Sequence, residues 1–292
     1  MSDNDSGTGL PPEFTAPSET LTPGHHDSDV FMESTGYTED DRDVSCWIGR
    51  NVAGATIGLI QLRAILPLIP GNMGNATTFD FPILYREMLP PDPYKIMATD
   101  PDAEKEFVDE AVKAAKWLEL QGVRAIMGNC GFFGTYQNAI QERIETQFFS
   151  SSLVQLPTIL TCLPKNKKVA VITANGPVLR DGPAIENCGV SLEDKANRIV
   201  IGGCEDGTEF HKVLGQTGET FNVLKLEEEI VAATKKVVEE DGNIGAVLLE
   251  CTELPPAAFA VQNAVRLPVW DYTTLTKWIH DGCLRRKFTG LV

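Results

Sequence analysis

The sequence predicts an α/β protein of two pseudo-symmetric, Rossmann-like lobes, with mainly parallel sheets and an interlobe cleft. Three observations carry this. From about residue 55 onward, short apolar runs alternate with amphipathic helical stretches, the pattern of parallel strands covered on both faces. A helix closed by Gly122 leads into VRAIMGNC, and a helix closed by Gly242 leads into IGAVLLEC. Both strands end at a cysteine, Cys130 or Cys251, where the chain turns towards helix.

The elements follow in order. ATIGLIQL (55–62) is a short apolar strand, followed by a long loop, LPLIPGNMGNATTFDFP, punctuated by Pro and Gly. DAEKEFVDEAVKAAKWLELQG (102–122) is an amphipathic helix, with an acid at its start and Gly122 just past its end. VRAIMG (123–128) is a strand, GTYQNAIQERI (134–144) a helix, and TQFF a short strand running into Ser150, Ser151 and Ser152. KKVAVITA (167–174) is a buried strand, followed by a helix near 177–187 and a strand NRIVIGG (197–203). LEEEIVAATKKVVEEDG (226–242) is a helix and IGAVLLE (244–250) a strand. PPAAFAVQNAV (255–265) is a helix with prolines in its first turn, where they are tolerated. LPVWD and TTLTKWIHDG form a last strand and helix. Right-handed crossovers place the C-terminal ends of all strands on one side, the side on which such sheets bind ligands.

The domain boundaries follow from composition and alternation. Residues 1–45, rich in Ser, Thr, Asp, Glu, Pro and Gly, read as a disordered acidic tail; a segment clamping a neighbouring subunit is the alternative. The first lobe is expected over 46–165 and the second over 166–268. Residues 269–292 are expected to return to the first lobe as a strand and helix.

The chain has 292 residues, enough for a sizeable core, with 42% hydrophobic and 23% charged residues. No apolar run reaches the roughly 18 residues a membrane helix needs. The N-terminus lacks the basic start and apolar core of a secretory signal, so a cytoplasmic location is expected. Net charge is −16, and the first fifty residues hold eleven acids against two arginines. That disfavours nucleic acid and anionic membranes as partners. The seven cysteines form no CxxC and no Cys/His cluster with zinc spacing. Reduced thiols are expected, and no metal. Two of the four histidines, His25 and His26, lie in the tail, which argues against a histidine-centred site.

Cys130 and Cys251 thus carry the chemical interest. The thiolate is the reactive form, and a helix N-terminus lowers a cysteine's pKa. Two opposed thiols across a cleft suit proton chemistry at a carbon beside a carboxylate. One removes the proton. The other returns it to the opposite face, giving racemisation, or the carbanion expels a leaving group, giving elimination. The bland alternative is that both thiols fill core space.

CTELP at Cys251 resembles the second active-site motif of the cofactor-independent aspartate/glutamate racemase superfamily, and GNCGF at Cys130 occupies the place of the first. The resemblance covers roughly residues 50–285. It implies two α/β lobes, a cleft between them, no pyridoxal phosphate or other cofactor, no metal, and a homo-oligomer, either tetramer or dimer. Amino-acid racemases usually follow the first cysteine with Asn-Thr. Here Gly131, Phe132 and Phe133 follow. With PGNMGNATTFDFP (70–82), this looks more like the branch that includes algal dimethylsulfoniopropionate lyases, which cleave that zwitterion to dimethyl sulfide and acrylate. Aromatic faces attract such a cation by about 0.5–2 kcal/mol per contact. Phe132, Phe133, Tyr136, Phe79, Phe81, Trp270 and Tyr272 are the candidates, with core packing as the alternative for each.

The substrate carboxylate needs donors. Asn72, Asn75, Ser151, Ser152, Thr173, Asn175 and Thr252 lie on the expected ligand side, although helix capping and turns are the commoner roles of such residues. Glu253 reads as structural. The leading expectation is a lyase acting on a small carboxylate, with Cys251 as base and Cys130 placing substrate or handling a proton; the reverse assignment stays open. A racemase acting on aspartate, glutamate or a related acid is the alternative. A non-catalytic binder of small acids is a third.

Overall fold

The fold is described from a computed structural model. It covers residues 54–63, 68–88, 101–214 and 220–288, so the expected acidic tail lies outside the described residues.

Among the described residues, eight strands form two four-stranded sheets. The first holds β1 (Ile57–Leu62), β2 (Ile83–Met88), β3 (Ala125–Gly128) and β4 (Gln147–Phe149), in the order β2-β1-β3-β4. The second holds β5 (Lys168–Thr173), β6 (Ile199–Gly203), β7 (Ile244–Leu249) and β8 (Val269–Trp270), in the order β6-β5-β7-β8. Every pairing is parallel, and the second order repeats the first strand for strand. The central strands β1, β3, β5 and β7 are almost wholly buried, as expected of strands covered on both faces.

Helix α1 (Pro101–Leu120) covers the first sheet with Phe107, Ala111, Val112, Ala115 and Leu118, a 3.6-residue stripe. It approaches closely because β1 carries Gly58, where a Cβ would come within 2.9 Å of the Leu118 side chain. Gly122, at φ +75°, takes the left-handed turn that ends the helix. In the second sheet, α8 (Val223–Glu240) plays the matching part. Asn222 caps it, its side-chain oxygen accepting from the Leu224 and Lys225 amides.

The differences from the sequence reading lie in marginal elements. Strand β2 was not expected. It is an edge strand with Arg86 and Glu87 exposed, so it lacks the clean apolar run of the central strands. The helix expected over 134–144 is a 3-10 turn (Gly131–Tyr136) followed by the short α2 (Gln137–Gln141). The helix near 177–187 is broken into α4 (Gly176–Asp181) and α5 (Ala184–Asn187), because Pro183 disfavours helical backbone at Gly182. A 3-10 turn (Pro255–Ala257) also precedes α9 (Ala258–Val265). The short helices α3 (Leu156–Cys162), α6 (Leu192–Arg198) and α7 (Thr208–Leu214) were not anticipated.

The C-terminal segment divides in a way the sequence did not show. Strand β8, expected to join the first lobe, pairs instead with β7 in the second sheet. Helix α10 (Tyr272–Cys283) does cross over. Its buried Tyr272, Leu275, Ile279 and Cys283 cluster with Ile57, Leu59, Ala125 and Met127 of the first sheet. Asp271 and Thr274 form a capping box that fixes the start of α10. Among the described residues, no helix is long and apolar enough to cross a membrane.

Candidate active site

The pseudo-symmetry of the sheets reaches the cysteines. Just past β3 come Asn129 and Cys130; just past β7 come Glu250 and Cys251. The Asn129 amide donates to the Ile60 carbonyl (3.2 Å), and the Glu250 amide donates to the Ile172 carbonyl (2.7 Å). Each side chain then ties its strand to the neighbouring one. Asn129 Oδ1 accepts from the Leu62 amide (2.8 Å), and Glu250 Oε2 accepts from Thr173 Oγ1 (2.7 Å). The backbone amide two residues on, of Phe132 for Cys130 and of Glu253 for Cys251, favours each thiolate.

Direct bonds join the two strand ends. Thr252 Oγ1 donates to the Asn129 carbonyl (3.0 Å), and Asn72 Nδ2 donates to the Thr252 carbonyl (3.0 Å). Ser152 Oγ donates to the Leu249 (3.0 Å) and Glu250 (3.2 Å) carbonyls. Cys130 and Cys251 are thereby held within electrostatic reach of each other.

The electrostatics differ from expectation. A helix N-terminus was expected to lower the thiol pKa values. Cys130 is instead followed by a 3-10 turn, and Cys251 by a turn before Pro255, so no α-helix dipole begins at either. Cys130 is partly exposed but densely surrounded; burial, then the Glu250 charge, pushes its thiol up to about 12. Burial, then the charges of Glu250, Glu253 and Cys130, raises Cys251 well above its ordinary value. Burial also pushes Glu250 up to about 7 against its Thr173 bond, and Glu253 up to about 7 against a bond from Asn72. Tyr272 belongs to the same cluster. It is fully buried, its hydroxyl has no hydrogen-bond partner among the described residues, and Cys130, Glu250, Cys251 and Cys188 all act on it.

Of the residues singled out from sequence, Cys130, Cys251, Asn72, Thr173, Thr252 and Ser152 converge here. Others are engaged locally. Asn75 donates to the Leu68 carbonyl (2.7 Å) and accepts from the Thr77 amide and hydroxyl. Asn175 caps α4, accepting from the Val178 amide (3.1 Å). Ser151 caps the 3-10 turn Ser152–Gln155, accepting from the Leu153 amide (3.1 Å). The aromatic candidates lie in different surroundings. Phe132, Phe133 and Tyr136 are buried in the main core, and the Phe133 and Tyr136 rings lie 5.0 and 4.7 Å from that of Phe107. Phe81 stacks on His280 at 3.7 Å and on Phe79 at 5.2 Å. Trp270 is 39% exposed. Sequence reasoning passed over Glu250. The available signal was an acid ending a fully apolar strand, where a charge needs a reason. Among the described residues, no three His, Cys, Asp or Glu side chains are grouped to hold a metal ion.

No protein-family model matches the chain. It is 32% identical over 225 residues to dimethylsulfoniopropionate lyase 7 of Emiliania huxleyi, covering 75% of this chain and 64% of that protein. It is 33% identical over 228 residues to lyase 3 of the same organism, covering 75% and 57%. With the dimethylsulfoniopropionate lyase of Durusdinium sp. clade D it shares 31% identity over 229 residues, covering 76% and 72%. The chain thus spans less than two thirds of the length of the first two relatives. Among solved structures, glutamate racemase from Aquifex pyrophilus matches with a TM-score of 0.50 at 16% identity, over 78% of this chain and 84% of that one. A liganded mutant of arylmalonate decarboxylase matches with a TM-score of 0.50 at 16% identity, over 77% and 90%. These likenesses concern the fold. The chain belongs to the dimethylsulfoniopropionate lyase family, and its two-lobed α/β fold is similar to that of glutamate racemase and arylmalonate decarboxylase.

Proposed function

We propose that the chain is a cofactor-independent carbon–sulfur lyase that cleaves dimethylsulfoniopropionate to dimethyl sulfide and acrylate. The carrying observation is the pairing of Cys130 and Cys251 on equivalent strand ends in a member of this family. The Tyr272 hydroxyl, buried beside both thiols without a partner among the described residues, is the donor that receives the substrate carboxylate. Cys251, as thiolate, takes the proton from the carbon next to that carboxylate. The released electron pair forms the carbon–carbon double bond. The carbon–sulfur bond breaks with its pair on sulfur, so the sulfonium leaves as neutral dimethyl sulfide. Cys251 then gives its proton to solvent. Cys130 holds the opposite face of the substrate.

Burial makes these thiols hard to ionise in the free protein, so the thiolate forms once a cationic substrate is present. Incubation with dimethylsulfoniopropionate is expected to give equal amounts of dimethyl sulfide, read in the headspace, and acrylate, read by proton NMR. Tyr272→Phe is expected to raise KM about ten-fold, as for the loss of one charge-assisted hydrogen bond. No dimethyl sulfide from the folded protein would refute the assignment. The equivalence of the two thiols, each just past the third strand of its sheet, favours a racemase as the second reading. Deuterium entering aspartate or glutamate at Cα from solvent, with no elimination, would establish it.

A further inference from the structure

Glu250 is the side chain that the strand-end architecture does not explain. Its position is equivalent to Asn129, and the task common to both is to tie the third strand of a sheet to the first. In the first lobe a neutral amide does this. The second lobe uses a carboxyl group with no exposed surface. Only Oε2 is engaged there, by Thr173; Oε1 is buried with no hydrogen-bond partner among the described residues. Oε1 lies against Gly131, where any Cβ would overlap it. Gly131 directly follows Cys130, and Glu250 directly precedes Cys251. The free oxygen therefore sits between the two cysteine segments. Glycine at 131, which has no Cβ, is what gives the carboxylate that space.

We propose that Glu250 is the cation subsite of this cleft: its free carboxylate oxygen, over Gly131, receives the onium end of a zwitterionic acid whose carboxylate is held by Tyr272. This deepens the lyase reading and rests on it for the substrate's identity, but the subsite itself can be tested without turnover. The surroundings support a cation. The groups facing Glu250 are Thr173 at the end of β5, Cys130 and Gly131 after β3, Cys188 after α5, Cys204 after β6, Cys251 after β7, and Tyr272 on α10. Glu253 adds a second carboxyl beside the thiols. Among the described residues, no Lys, Arg or His acts on Glu250, Cys130 or Cys251. A buried anion without a counter-ion is unfavourable. An entering onium group offsets that deficit and makes a neighbouring thiolate easier to form.

The test uses calorimetric titration of the full chain with two stable acids of one shape. One is 3-(trimethylammonio)propionate, which carries a quaternary cation. The other is its neutral carbon isostere, 4,4-dimethylpentanoate. At about pH 8 the wild type is expected to prefer the cationic acid by about ten-fold or more, the scale of one close, desolvated charge pair. Glu250→Gln is expected to abolish that preference while leaving isostere affinity within about two-fold. In the unmodified protein, the preference is expected to fall as pH drops from about 8 to about 5.5, as Glu250 takes up its proton. Because Glu253 takes up its proton over the same range, the series is repeated in Glu253→Gln, where the fall is expected to persist, so that it decides the matter even if Glu250→Gln does not fold. A preference retained by Glu250→Gln, or unchanged across the pH series, or absent from the wild type, would overturn the proposal. If the preference behaves as expected but no dimethyl sulfide forms, the subsite stands and the lyase reading falls.

Discussion

At the scale of single residues, Glu250 is fully buried and Glu253 partly so, and burial raises both carboxyl groups with no cation acting on either. Their folded pKa values, about 7, stand above the ordinary 4.5. The native state therefore holds these protons over a range in which the unfolded state has lost them. By linkage, stability is greatest below about 4.5 and falls as pH rises through about 7. Glu250→Gln removes one of the two ionisations. It is expected to stabilise the protein above neutrality by on the order of 1–2 kcal/mol, with little change near pH 5. Urea unfolding at the two pH values reads this directly, and an equal change at both would contradict it. The cysteines were legible in the sequence because strand-end position and repeated context singled them out. Glu250 was not, since one-dimensional pattern gives no sign that Gly131 makes room for it. Asn75, Ser151 and Asn175 were legible only as polar residues after strands, and the structure engages them in turns and caps.

At the scale of elements, long periodic segments were readable and short ones were not. Helices α1 and α8 repeat an apolar stripe over several turns, and the central strands are continuous apolar runs. Strand β2, half-exposed at a sheet edge, and α6, seven residues long, are held by tertiary contacts that local sequence does not display. Arg198 is the clearest such contact. It ends α6, is 8% exposed, and donates to the carbonyls of Leu160 (2.9 Å), Lys167 (3.3 Å) and Pro164 (3.3 Å), with a longer bond to Leu163 (3.5 Å). One guanidinium thus satisfies the loop between α3 and β5. Arg198→Met keeps most of the apolar stem but strands those carbonyls. It is expected to cost about 2–4 kcal/mol. Chemical denaturation checks this; a loss below about 0.5 kcal/mol would show that water replaces the guanidinium.

At the scale of the whole molecule, VRAIMGNC and IGAVLLEC marked a repeat that the two sheets then display strand for strand. The repeat explains why the two thiols meet. Each sheet presents a cysteine past its third strand, and a few polar bonds close the ends on one another: Thr252 to Asn129, Asn72 to Thr252, and Ser152 to Leu249. The same repeat shows where the lobes differ chemically, with an amide, Asn129, at one strand end and a carboxyl group, Glu250, at the other. What it could not show was that β8 stays with the second sheet while α10 crosses to the first, because a two-residue strand carries almost no pattern. On this reading, elimination needs both thiols. Dimethyl sulfide release from dimethylsulfoniopropionate should be compared among the wild type, Cys130→Ala and Cys251→Ala, each verified as folded. The expected result is release by the wild type, a fall of at least about 100-fold in Cys251→Ala, the usual scale for losing a proton-transfer group, and a fall of about ten-fold or more in Cys130→Ala, which loses the contact that positions the substrate. Release that survives in either variant at the wild-type rate would contradict the paired-thiol mechanism.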